Sequence, residues 1–224
     1  MLAVATLVVG LARAAPPSPA PPAYAMIGLS GSPPLEIGAD EVLTGLFDAV
    51  TGRNGADTRD PAAPATKVSW DGAVQFCNQL SVKEGLRPAY GIRTRMPMGG
   101  SLAPTVEWDR SANGYRLPTE AEWERAVGTP GVRSLAGGVW EWVYDRSAPG
   151  EAALPLPNAG FFHVIRGGSS QMARSVTTPA ARGWLPSAYE DEAVGLRLVR
   201  GATGEAPPPP PPPRKRRSGT PQKR

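Results

Sequence analysis

The sequence predicts an α+β domain, with short helices packed on antiparallel strands and many loops between them. Three observations carry this. Residues 113–142 contain a strand-to-helix junction followed by a closely spaced tryptophan pair. Two earlier segments place apolar residues at i, i+3, i+4 and i+7, the stripe of an amphipathic helix. Glycine and proline, 26 and 27 of the 224 residues, interrupt regular structure throughout, which also points to extended flanks outside the domain.

The flanks come first. Residues 2–12 are an apolar run, and Ala12, Arg13 and Ala14 have the small-x-small form of a signal-peptidase site. Residues 1–15 are therefore read as a signal peptide, and the protein as exported, periplasmic or extracellular. The run is too short to span a bilayer, so no membrane span is expected in the mature chain. Residues 16–23 are a Pro/Ala linker. The domain is assigned to residues 24–201. Beyond it, residues 202–224 hold seven consecutive prolines and a basic end, read as a polyproline II rod and a disordered tail. The net charge of +4 belongs to that tail. Residues 214–224 carry six of the 24 basic side chains, leaving 18 basic against 20 acidic residues elsewhere. The basic tail suits anionic surfaces; the domain has no such bias.

Within the domain, residues 40–50 read as a helix, with Leu43, Leu46, Phe47 and Val50 on one stripe and Gly52 as its stop. Residues 53–66 form a loop. Ser69 caps a second helix whose buried stripe is Ala73, Phe76, Cys77 and Leu80, ended by Gly85. Residues 86–112 are irregular, and Asn113-Gly114 suggests a hairpin pairing 106–108 with 115–117. Thr119 and Glu122 form a capping box, with Trp123, Ala126 and Val127 on one face of the helix they start. Trp140 and Trp142 share one face of a strand, and Glu141 points to the other. After Trp142 the chain reads as a loop to about residue 159. Residues 161–169 and 194–199 supply the last strands.

Three motifs in order, Tyr115-Arg-Leu-Pro-Thr-Glu-Ala-Glu-Trp-Glu124, Gly137-Gly-Val-Trp-Glu-Trp142 and Arg166-Gly-Gly-Ser169, resemble the formylglycine-generating enzyme, or sulfatase-modifying factor, domain family. The resemblance covers about residues 24–200, with one large gap: residues 129–136 stand where the family has several tens of residues. It implies a shortened C-type-lectin-like fold.

It also implies a chemistry that this chain lacks the residues to perform. The family's oxidase activity uses two cysteines after the Arg-Gly-Gly-Ser motif to bind copper(I), which soft thiolates select. Here those places fall near Met172 and Thr177, and the single cysteine, Cys77, lies in another element. Copper is not expected, and the family's enzyme activity is argued against. One histidine, His163, excludes a histidine-clustered iron centre. The family often holds calcium near the Trp-Glu motif. Here Gly138 occupies the asparagine place and Glu141 alone remains, a thin set for a cation needing six to eight oxygens. Glu141 is kept as the calcium candidate, against a plain reading as the ion-pair partner of Arg166 or Arg197. Phosphate-loop, dinucleotide and nucleophile-elbow motifs are missing from the sequence.

What remains is a binding surface. In the resembling enzymes and in variable lectin-like proteins of this fold, residues corresponding to 166–192 line the ligand groove. Arg166, Gln171, Arg174, Arg182, Trp184, Tyr189 and Glu190 are its candidates here, because aromatic and arginine side chains on a rigid scaffold make strong anchors. The plain alternative is that Trp184 covers a core edge. The expected function is a non-catalytic, exported binding or scaffold protein for a protein or small-molecule ligand. The alternative is an enzyme or accessory factor of the sulfatase-modifying class.

Overall fold

A computed structural model describes residues 23–31, 33–53, 60–93, 105–147 and 162–201. The proposed signal peptide, the linker up to residue 22 and the tail lie outside the described residues, as does Phe161. Among the described residues, ten strands and three helices follow in the order β1 (Met26–Leu29), β2 (Leu35–Gly38), α1 (Thr44–Thr51), α2 (Trp70–Lys83), β3 (Tyr90–Arg93), β4 (Thr105–Trp108), β5 (Tyr115–Arg116), α3 (Glu120–Arg125), β6 (Trp140–Arg146), β7 (Phe162–Arg166), β8 (Arg182–Pro186), β9 (Val194–Leu196) and β10 (Val199–Arg200). The α+β class is as the sequence predicts.

Two four-stranded sheets share the chain. One has the order β1-β2-β10-β5, the other β8-β7-β6-β9, and β3-β4 forms a separate hairpin. All pairings are antiparallel except β6 with β9. The expected single strand at 194–199 is in fact two. Val194–Leu196 joins one sheet and Val199–Arg200 the other, with Arg197 and Leu198 fully buried between them.

The capped helices form for the reasons the sequence suggests. In α2 the Ser69 hydroxyl accepts from Gly72 N, and Ala73, Phe76, Cys77 and Leu80 are fully buried. In α3 the Thr119 hydroxyl accepts from Glu122 N at 3.2 Å while Glu122 Oε2 accepts from Thr119 N at 2.8 Å, a complete capping box. Val127 falls past the end of this short helix and is exposed, so only Trp123 and Ala126 are buried.

Other expectations are corrected. Helix α1 begins at Thr44, because Val42 pairs its backbone with Leu196 and Ala65 and is held extended. Gly52 ends it in the left-handed conformation, φ 73°, which glycine adopts without a Cβ penalty. The 106–108/115–117 hairpin does not form. β4 pairs with β3, and β5 pairs with β10, so long-range partners outcompete the Asn113-Gly114 turn. β6 extends to Arg146, four residues beyond the point at which a loop was expected. β1, β2 and β8 carry too weak an alternation to be read from the sequence.

Candidate functional site

The β8-β7-β6-β9 sheet positions every candidate residue, and register decides which face each one takes. Glu141, Arg166 and Arg182 are direct partners across β6, β7 and β8, as are Val164 and Trp184. All therefore belong to the face that α3 covers. Helix α3 anchors this face. Arg166 donates to Glu120 Oε1 at 3.2 Å, Glu124 Oε1 at 2.8 Å and the Pro179 carbonyl at 3.2 Å, and its guanidinium lies over the Trp123 ring. Arg182 Nε donates to the same Glu120 oxygen at 2.7 Å. Arg166 is almost fully buried, and its Nε has no hydrogen-bond partner among the described residues. Arg166 is thus a strut of the scaffold, and Arg182, partly exposed, borders the surface above it.

Glu141 sits deeper on the same face. Its carboxylate accepts from Arg197 Nε at 3.0 and 3.1 Å, from Arg197 Nη2 at 2.7 Å and from Trp123 Nε1 at 2.7 Å. Of the two ion-pair partners considered for it, Arg197 is the one it takes. Arg197 also donates to the carbonyls of Gly38 and Arg133, so every arm of this buried cation is occupied. A second carboxylate, Glu41, stands behind it, 4.0 Å from Arg197. Burial, then the Glu141 charge, raises Glu41 to a pKa of about 7. Glu41 also explains Gly138. A Cβ at position 138 would lie 1.8 Å from Glu41 Oε1, closer than atoms can approach. A carboxylate from the start of the chain fills the space beside the Trp-Glu motif. A guanidinium already holds both Glu141 oxygens, an arrangement that does not fit a calcium ligand. Among the described residues, no group of three or more His, Cys, Asp or Glu side chains could hold a metal ion.

The rest of the candidate surface is divided. Gln171 and Arg174 lie exposed on the 167–181 loop, together with Met172 and Val176. Trp184 stands on edge strand β8 and is 37% exposed. Tyr189 and Glu190 are exposed too, but on the other side of the sheet. Their segment bonds Asp71 N through the Ser187 carbonyl and Lys67 N through the Asp191 carbonyl, along the start of α2. Tyr189 turns its hydroxyl to Asp191 Oδ2 at 3.2 Å. The structure therefore brings Arg182 and Trp184 together and sets Tyr189 and Glu190 apart. Cys77 is fully buried in α2, where desolvation pushes its thiol far above the ordinary range, the environment of an unreactive thiol.

The opposite face is aromatic, and the sequence reading missed its main feature. His163 stacks on Trp70 with ring centroids 3.6 Å apart. Burial lowers its pKa to about 4. Tyr144 stacks on Tyr90 at 5.8 Å and meets the edge of Trp108 at 4.8 Å. Where β6 ends and β7 begins, Trp70, Val106, Trp108, Arg110, Thr119, Tyr144, Asp145, Arg146 and His163 line a cleft of about 290 Å³. Its residues come from five separate parts of the chain, so no local motif announces it.

The model of the sulfatase-modifying factor enzyme 1-like domain matches residues 45–131 and 128–202. The chain belongs to this family. A chaperone protein, LppX, of Paenibacillus barcinonensis is 38% identical over 131 residues, which cover 55% of this chain and 45% of that protein. The hercynine oxygenase of Mycolicibacterium thermoresistibile is 23% identical over 124 residues, 50% of this chain and 28% of that one. The chain thus spans less than half the length of either relative. Among solved structures, Treponema denticola variable protein 1 superposes with a TM-score of 0.58 at 24% identity, over 80% of this chain and 92% of that one. CarF gives 0.60 at 22% identity, over 75% and 86%. At these identities the two structures establish the fold, which is the one the motifs led us to expect.

Proposed function

We propose that this domain is a non-catalytic, exported binding or scaffold protein on a sulfatase-modifying-factor-like fold, with its ligand or protein surface in residues 166–192. One observation carries the reading. The sequence has a single cysteine, and that thiol is sealed inside α2, so one chain offers no pair of thiolates for copper(I). The loop that would present such a pair instead exposes Met172 and Val176, and Trp184 stands exposed on the neighbouring edge strand. Partly exposed apolar anchors on a rigid frame suit recognition. The relative described as a chaperone protein favours a protein partner over a small molecule. The apolar run at residues 2–12 supports export.

The test is a copper(I) titration of the purified protein with a peptide carrying a sulfatase-type cysteine motif. No stoichiometric copper binding and no loss of the peptide thiol are expected. Tight binding with conversion of the cysteine would overturn the reading in favour of the alternative, an enzyme or accessory factor of the sulfatase-modifying class. The similarity to a hercynine oxygenase is the observation on the side of that alternative.

A further inference from the structure

The β8-β7-β6-β9 sheet ends on β9 at one side and on β8 at the other, and the two edges are finished differently. The β9 edge is closed by the chain before α1, where Val42 N donates to the Leu196 carbonyl at 2.9 Å. At the β8 edge the ladder leaves Trp184 facing outwards. Successive residues of an antiparallel strand turn their N–H and C=O to alternate sides. The Phe162 carbonyl accepts from Ser147 N at 3.0 Å, on the β6 side, and Gly167 N donates to the Ala181 carbonyl at 3.1 Å, on the β8 side. His163 and Ile165 therefore bond to their register partners Leu185 and Gly183, and Trp184 presents both of its backbone groups at the open edge. Among the described residues, nothing outside the sheet bonds to them. The Trp184 side chain is exposed, as are Met172 and Val176 on the loop that leads into β8. An unpaired edge with apolar side chains is a template for another strand. We propose that β8 pairs antiparallel with β8 of a second copy of this chain, across a two-fold axis at Trp184. The proposal rests on the reading of residues 166–192 as a protein-binding surface, and it names the protein.

The strand is its own complement. Pairing about this axis sets Trp184 opposite the partner's Trp184 in a hydrogen-bonded position, so each donates its N–H to the other's carbonyl. Arg182 is the one charged residue of β8. It falls opposite the partner's Pro186 and not opposite itself, so no like charges meet across the pair. Charges beyond the strand ends match as well. Arg174 is exposed before β8 and Glu190 after it, and neither side chain has an ion-pair partner among the described residues. The two-fold axis reverses the strand, so the end carrying Arg174 in one copy lies towards the end carrying Glu190 in the other. The contact is short. Pro186 has no N–H for a further ladder bond, and its carbonyl already accepts from Tyr189 N at 2.9 Å. Pairing therefore stops at Pro186 on both sides of the axis, which makes the dimer a reversible one rather than an obligate one. It joins the two four-stranded sheets edge to edge, with the α3-covered faces of both copies on the same side.

The experiment uses the full chain at concentrations from about 1 μM to about 1 mM. Sedimentation velocity is expected to show monomer passing to dimer as the concentration rises. Over the same series, exchange of the Trp184 amide should slow with the dimer fraction, whereas the Gly183 amide, already bonded to β7, should not respond. Trp184→Lys sets two like charges directly opposite each other and removes the central anchor, and should weaken association at least about tenfold. The exchange measurement uses the wild-type chain, so it decides the matter even if that variant folds poorly. A monomer at every concentration would overturn the self-pairing and leave the binding reading of residues 166–192 to its own test. A dimer whose Trp184 amide exchanges as fast as in the monomer, or one that Trp184→Lys leaves intact, would assign the contact to another surface and overturn the proposal equally.

Discussion

The two faces of the β8-β7-β6-β9 sheet are both covered at their centre, by opposite means. Under α3 the closure is ionic: Glu141, Arg197, Glu41, Arg166 and Glu120 share charge and hydrogen bonds around Trp123. Under α2 it is made of rings: Trp70 on His163, with Trp142 fully buried beside them. Both Trp70 and Trp142 indoles donate to backbone carbonyls, at 2.9 and 2.8 Å. A buried ion pair gives geometry and specificity at the cost of desolvation, whereas an aromatic stack gives stability with few demands on its neighbours. The charged face therefore has the stricter architecture, and that strictness is visible in the family motifs it contains.

The comparison can be broken most severely at Arg197. Arg197→Met strands Glu141 and Glu41 without their cation and should cost about 3–5 kcal/mol in urea unfolding. Replacing Arg197 and Glu141 together by apolar residues should recover much of that loss. If the single and double variants are equally unstable, the charged face is held by packing rather than by charge.

The next effect concerns pH, where the two faces should respond with opposite signs. Glu41 has its folded-state pKa raised, from 4.5 to about 7, by burial and then by Glu141. The folded state retains a proton that the unfolded chain releases. The stability from this group is full below about 4.5 and is lost as pH rises to about 7. His163 has its pKa lowered from 6.5 to about 4 by burial. The folded state excludes a proton that the unfolded chain takes up. Stability is full above about 6.5 and is lost as pH falls to about 4. Each change is on the order of 3 kcal/mol. Glu41→Gln should remove the loss on the alkaline side alone, and His163→Phe the loss on the acid side alone, in thermal unfolding across pH 4–8.

A smaller effect is expected at Thr119. Thr119→Ala removes half of the capping box and should cost about 1 kcal/mol, with the Glu41 pH profile unchanged. The smallest concerns the outer surface. Trp184→Ser should alter stability by less than about 0.5 kcal/mol, while abolishing capture of any partner that wild-type protein retains on a column. A large stability loss there would make Trp184 a cover for the core edge.

The sequence made the scaffold legible where chemistry is local. The Thr119–Glu122 box, the Ser69 cap, the buried stripe of α2 and the Trp140/Trp142 alternation are decided by residues a few positions apart. It was silent where partners are distant. Nothing near Gly138 indicates that Glu41 fills the space beside it, and nothing near Tyr115 indicates β10 as its strand partner. The division of the 166–192 surface follows from a strand register invisible in composition, and the aromatic cleft gathers residues scattered from 70 to 163.

The run from Val194 to Arg200 has a consequence for how the domain comes apart. Three residues pair in one sheet, two in the other, and the buried Arg197 sits at the crossing. Neither sheet can release this run without leaving the buried Glu141 carboxylate without its cation and loosening the other sheet. The two layers are thus mechanically a single unit. Amide exchange in β2 and in β6 should report the same opening event, with the same denaturant dependence, although these strands belong to different sheets.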